Sequence, residues 1–305
     1  MISYIWHYFY SNYFRFWLKW VLRQISGKCE LQRICDGTKD GASRTHRIGM
    51  LLAINTFLFH PQINFAKIVQ IESIIIIIHH QVSGSEGVWA PLGYSFTLTD
   101  LLTLTFFFLR FEINLRICLL QISGYKKLYL DVEELRKQSF DSNNNYHEQQ
   151  LLELWDLLMP HEKLNNRVTK QWGDVGFQGD DPKTDFRGMG MLGLANLLYF
   201  SKHYTEEARL ILSHSNHPKL GYSYAIVGIN LTEMAYSLLK SGALKFHFYN
   251  TVPEFPQMKS FHQLYCYLVY EFDKFWFKEE PESIMQFNQY REKFHDQIKH
   301  LLSNE

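Results

Sequence analysis

With 305 residues, 46% of them hydrophobic and 16% aromatic, the chain has material for one large core or two modest ones. Lys+Arg and Asp+Glu both number 31, a formal net charge of zero, which argues against a general nucleic-acid binder with its clustered basic excess. The four cysteines, Cys29, Cys35, Cys118 and Cys266, form no CxxC pair and match neither a zinc ribbon nor a disulfide framework. That usage fits a reducing compartment, with Cys266 in Leu264–Leu268 read as a small buried hydrophobe.

The first predicted element is an amphipathic aromatic helix. Ile2, Ile5, Trp6, Phe9, Tyr13, Phe16, Trp17 and Trp20 recur at helical spacing. A secretory signal would carry early positive charge and an aliphatic run, whereas here Arg15 and Lys19 come late and the bulk is aromatic. Trp and Tyr favour the membrane–water interface, so the helix either lies on a lipid surface or packs on the rest of the protein; a membrane span is the third reading. With the polar stretch that follows it, this helix makes up residues 1–48.

Residues 49–113 differ in character. They hold five consecutive isoleucines, Ile74 to Ile78, a Gly/Ser-rich piece from Gln81 to Gly93, and the apolar run Phe96 to Leu109. No period of 2 or 3.6 persists, neither run reaches the ~20 residues of a spanning helix, and Asp100 interrupts the longer one. The segment is expected to be insertion-like and poorly integrated.

From 114 to 305 the pattern is orderly and all-α. Leu115, Cys118, Leu119, Ile122 and Tyr125 mark one helix, and a polar loop follows at Asp141–Asn145. Leu151, Leu154, Trp155 and Leu158 mark the next helix, ended by Pro160. Thr205-Glu206-Glu207 reads as a helix cap with acidic residues in the first turn. The helix Ser223–Lys240 is expected to close on Gly242, Phe261 to Phe275 marks another, and Pro281-Glu282 reads as the start of the last.

Between these helices lies Trp172 to Gly190, which concentrates glycine, proline and acidic residues and reads as a shaped loop. Lys183-Thr184 follows a glycine, but the GxxxxGK[ST] spacing is absent, and Asp174, Asp180, Asp181 and Asp185 would repel phosphate. His147-Glu148 does not continue into HExxH, and no GxSxG occurs. Arg187 stands out between Phe186 and Gly188. Phe186 can anchor the loop while Gly188 and Gly190 leave space for a partner. Asp185 could cap the following helix or hold the guanidinium. On chemistry alone a structural salt bridge is the bland reading and a presented arginine the sharper one.

The run WxxxGFQGxDPxTDFRGxG, Trp172 to Gly190, resembles the signature of the ELMO domain and, within it, the ELMOD family. Similar to the same family are His217 to Lys240, Phe261 to Phe277, Arg15 to Ile34 and Cys118 to Glu133. Residues 49–113 depart from its pattern, where a polar helical stretch is expected. The resemblance implies a compact helical ELMO domain over 114–305 and a GTPase-activating protein for ARF and ARF-like small GTPases, with Arg187 as the catalytic arginine. Trp172, Phe177, Gln178, Asp181, Thr184, Asp185, Phe186 and Gly188 are then the residues that bind the partner or position the loop. It implies no metal or cofactor of the chain's own, since GTP and Mg²⁺ belong to the partner. It also implies a cytoplasmic protein peripherally associated with mitochondria, endoplasmic reticulum or lipid droplets, and, for the paralogue most resembled, a link to antiviral interferon responses. The rival reading is a non-catalytic adaptor for small-GTPase signalling at membranes.

Overall fold

The computed structural model describes residues 15–28, 30–37, 41–56, 98–252 and 255–303. The chain divides into two compact units, Met1–Leu119 and Leu120–Glu305. Every regular element among the described residues is helical, in accord with the all-α reading.

The first unit carries α1 (Arg15–Ser26), α2 (Glu30–Gly37), α3 (Ala42–Thr56) and the opening turns of α4 (Leu98–Lys137). Its core brings together Cys35, Ala42, Ile48, Leu115 and Cys118. Polar bonds tie α4 to its neighbours: Asn114 Nδ2 donates to Cys35 O at 3.3 Å, and Thr45 Oγ1 to Cys118 Sγ at 3.3 Å. α4 begins at Leu98 and α3 ends at Thr56, so regular structure enters the 49–113 stretch from both sides. The isoleucine run and the Gly/Ser-rich piece lie outside the described residues, as does the amphipathic helix before Arg15. No helix among the described residues is long and apolar enough to cross a membrane.

The second unit continues α4 and adds α5 (Asn145–Leu158), α6 (Gly190–His203), α7 (Thr205–Ser215), α8 (Tyr224–Ser241), α9 (Lys245–Thr251), α10 (Met258–Glu279) and α11 (Phe287–Ser303). α6 is the central rod. Met191, Leu192, Leu194, Leu197 and Phe200 are buried round its circumference, and a helix apolar on every side must be enclosed. α5, α7, α8 and α10 enclose it. The expected stripe on α5 is buried, as are Phe261, Leu264, Leu268, Phe272 and Phe275 on α10. Cys266 is buried as expected, and burial pushes its thiol up to about 12.

α8 ends on Gly242 in the left-handed region, φ +82°, as its sequence required. Two helix starts differ from expectation. Thr205 does not cap α7: Tyr204 holds that position, and Thr205 Oγ1 instead donates back to Ser201 O at 2.8 Å. The last helix does not begin at Pro281; Ser283 accepts from Met285 N to open a 3₁₀ turn, Ile284–Gln286, and α11 follows. Near the α7–α8 connection the buried Asp273 carboxylate accepts from Tyr222 Oη at 2.6 Å and pairs with His214 Nδ1 at 2.8 Å. Burial, with the Asp273 charge second, pushes the Tyr222 hydroxyl far above its ordinary range.

Candidate functional site

The stretch from Trp172 to Gly190 is built as two 3₁₀ turns, Lys170–Val175 and Pro182–Arg187, leading into α6. Thr169 caps the first by accepting from Gln171 N. Asp181 caps the second by accepting from Lys183 N at 3.0 Å, with Pro182 at the first helical position where its missing N–H costs nothing. Thr169 N donates to Asp180 O at 2.9 Å and draws the starts of the two turns together.

Beneath the loop runs a chain of rings. Trp155 on α5 meets Trp172 edge-on at 5.3 Å, Trp172 meets Phe177 at 5.7 Å, Phe177 meets Phe186 at 5.6 Å, and Phe186 stacks on Phe140 at 5.8 Å. All five are buried. Edge-to-face pairs of this kind contribute ~0.5–1.5 kcal/mol each beyond the area they bury. Both indoles are satisfied, Trp155 Nε1 by Glu162 O at 2.8 Å and Trp172 Nε1 by Arg167 O at 2.9 Å.

Two glycines of the signature are required by the backbone. Gly176 has φ +85°, and a Cβ there would lie 2.4 Å from Tyr224 N at the start of α8. Gly190 has φ +53°, and a Cβ would lie 2.3 Å from Arg136 O and 2.5 Å from Gln138 O. The expectation that Gly190 leaves room for a partner is therefore corrected, because its space is filled by the carbonyls at the end of α4. Gly188 is the opposite case. Its φ of −79° and ψ of −41° suit any residue, and a Cβ would meet nothing within 4 Å.

Arg187 closes the second turn with its side chain exposed, while its neighbour Phe186 is 1% exposed. Its Nε donates to Thr184 O at 2.8 Å, and its two terminal nitrogens have no hydrogen-bond or ionic partner among the described residues. The Asp185–Arg187 salt bridge weighed from chemistry is absent. Asp185 Oδ2 accepts instead from Gln178 N at 2.9 Å, and the N-cap of α6 is Met189, with no side-chain cap. The loop's amides at Gln178 and Lys183 are thus occupied by its own carboxylates, the opposite of a phosphate cradle.

Of the other expected site residues, Trp172 and Phe177 are buried and face inward, Asp181 and Asp185 are half-buried and engaged, and the Gln178 and Thr184 side chains are exposed. Three participants were not expected: Phe140, Glu148 and Arg167. Arg167 Nη1 donates to Asp181 Oδ1 at 2.9 Å, its Nε donates to Glu148 Oε2, and its Cζ lies 5.5 Å from the centre of the Phe140 ring. The available signals were faint: a lone aromatic in the polar stretch after α4, and one arginine in the polar run before Trp172.

Residues 130–291, from late α4 into α11, match the model of the ELMO/CED-12 family, and the chain belongs to that family. Among its relatives, ELMO domain-containing protein 2 of Homo sapiens is 59% identical over 298 residues, covering 98% of this chain and 95% of the relative. ELMO domain-containing protein 1 of Mus musculus is 45% identical over 318 residues, 97% of this chain and 90% of that one. ELMO domain-containing protein B of Dictyostelium discoideum is 41% identical over 185 residues, 61% of this chain and 64% of that one.

Proposed function

We propose that this protein activates GTP hydrolysis by ARF and ARF-like small GTPases, supplying Arg187 to the transition state. The observation that carries the proposal is the state of that side chain. Its backbone is fixed by buried Phe186, its Nε is held by Thr184 O, and its two terminal nitrogens have no partner among the described residues.

Hydrolysis needs positive charge where it develops on the phosphate oxygens. A guanidinium gripped at Nε offers the remaining two nitrogens as a planar fork whose orientation is partly set before the partner arrives, which lowers the entropy lost on engagement. An arginine delivered this way is worth ~10³–10⁵ in rate, or about 4–7 kcal/mol off the barrier. Gly188, which no neighbour among the described residues requires to be glycine, gives the incoming GTPase close access to the backbone beside the fork. The exposed Gln178 side chain is the weaker candidate for contact with the partner's switch regions. GTP and Mg²⁺ come with the partner, and the chain needs no cofactor of its own. The exposed Leu22 and Ile25 on α1 support a peripheral membrane association of the N-terminal region.

The test is single-turnover hydrolysis on a panel of GTP-loaded ARF-family proteins. Arg187→Ala removes one exposed hydrogen bond, so unfolding free energy should change by less than about 1 kcal/mol. Stimulated hydrolysis should fall by ~10² or more, and Arg187→Lys, which keeps charge without the fork, should be badly impaired. A folded Arg187→Ala protein that stimulates normally would end this reading and leave a non-catalytic adaptor.

A further inference from the structure

We infer that Arg167, outside the glycine-rich signature, is the positioning residue that holds Arg187 in its catalytic pose; the inference rests on the GTPase-activating reading above. One guanidinium is tied directly to the start of the six-residue turn Pro182–Arg187 and, through one intervening ring, to its end. At the start of the turn, Nη1 donates to Asp181 Oδ1 at 2.9 Å, and the same oxygen accepts from Lys183 N at 3.0 Å as the N-cap. At the end of the turn, the guanidinium lies over Phe140, whose other partner in the ring chain is Phe186, the residue next to Arg187. A third link anchors the group to the scaffold, since Nε donates to Glu148 on α5. The main chain of Arg167 also takes the indole N–H of Trp172.

This arrangement needs an arginine. The group meets two carboxylates on different elements through separate nitrogens while its Cζ lies over the Phe140 ring, and the single nitrogen of a lysine ammonium cannot be in all three places in one pose. The Arg167 side chain is 24% exposed, and those of Glu148 and Asp181 are 19% and 33% exposed, so the charges attract through a medium less screening than bulk water. Without it the turn keeps its proline and its buried Phe186 but loses the tie that sets its tilt. A fingertip misplaced by ~1 Å can cost ~10²-fold in rate with no change in encounter.

The experiment measures hydrolysis by a GTP-loaded ARF-family GTPase against rising GTPase concentration, using the full chain and its Arg167→Met, Arg167→Lys and Arg187→Ala variants, with an unfolding midpoint for each. Arg167→Met should lower the maximal rate by ~10-fold or more and Arg167→Lys by less, while the half-saturating GTPase concentration stays within about two-fold, because transition-state and not ground-state binding is lost. Arg167→Lys, which keeps a cation beside Glu148 and Asp181, supplies the answer if Arg167→Met does not fold. A loss of rate only in proportion to unfolded protein would reduce Arg167 to a stability element and overturn the inference. A raised half-saturating concentration with the maximal rate kept would make it a docking residue and overturn it equally. Unchanged kinetics in folded Arg167→Met, with Arg187→Ala inactive, would sink the positioning role and spare the arginine finger; a normal Arg187→Ala would remove both.

Discussion

His262 gives a pH dependence whose size follows from its surroundings. Its ring sits between α10 and α6, stacked on Tyr199 at 4.7 Å, with Nδ1 2.6 Å from Asn196 Oδ1. Asn196 Nδ2 donates to Thr232 Oγ1 at 3.1 Å, and Thr232 Oγ1 donates to Gly228 O, so a line of hydrogen bonds crosses three helices. Burial, with His203 nearby as the lesser cause, lowers the ring from its ordinary 6.5 to about 4. The neutral ring is therefore the native form. The unfolded chain binds a proton below 6.5 and the folded one does so only near 4, so stability present above pH 6.5 is lost as pH falls through that window. At about 1.4 kcal/mol per pH unit of separation, the loss attributable to this residue is about 3 kcal/mol, against the ~5–15 kcal/mol that holds a typical domain together. Urea unfolding at intervals between pH 7 and 4 should show the wild-type protein losing that much more than His262→Asn, which keeps a donor toward Asn196 but does not titrate. Parallel stability–pH curves for the two proteins would refute the reasoning.

Gly190→Ala should destabilise the domain by at least ~3 kcal/mol, since it adds left-handed strain to a clash with two main-chain carbonyls that no rotamer relieves; thermal unfolding reads this, and a wild-type midpoint would contradict it. Gly188→Ala should leave stability unchanged or raise it by ~0.4–1 kcal/mol through the unfolded chain, yet lower stimulated hydrolysis of an ARF-family GTPase. Full activity in that variant would remove the close-approach role of Gly188.

What was legible in the sequence was what is local. The stripe Leu151, Leu154, Trp155, Leu158 repeats within one helix, and Gly242 follows its helix directly, so period and cap are written side by side. That Trp172–Gly190 forms a shaped connection between helices was legible because its odd composition is contiguous. Its wiring was not. Asp185 is two residues from Arg187, and nearness suggested an ion pair, but the turn points the carboxylate back to Gln178 N. Arg167 and Asp181 are fourteen residues apart and Arg167 and Glu148 nineteen, and no local pattern records which charge meets which across a fold. Thr205 failed as a cap for a related reason: the preceding helix ends so close that its hydroxyl finds Ser201 O first.

The edge-on pair Trp155–Trp172 has an optical consequence. Two indoles 5.3 Å apart and shielded from water couple their excited states, so the near-ultraviolet circular dichroism of this protein should carry a signed, structured band from the loop itself. Their emission should lie to the blue and resist iodide. Because Trp172 opens the segment that ends in the exposed arginine, any loosening of that segment would weaken the band and admit the quencher. The exposed end of that segment thus reports its own rigidity without an attached dye.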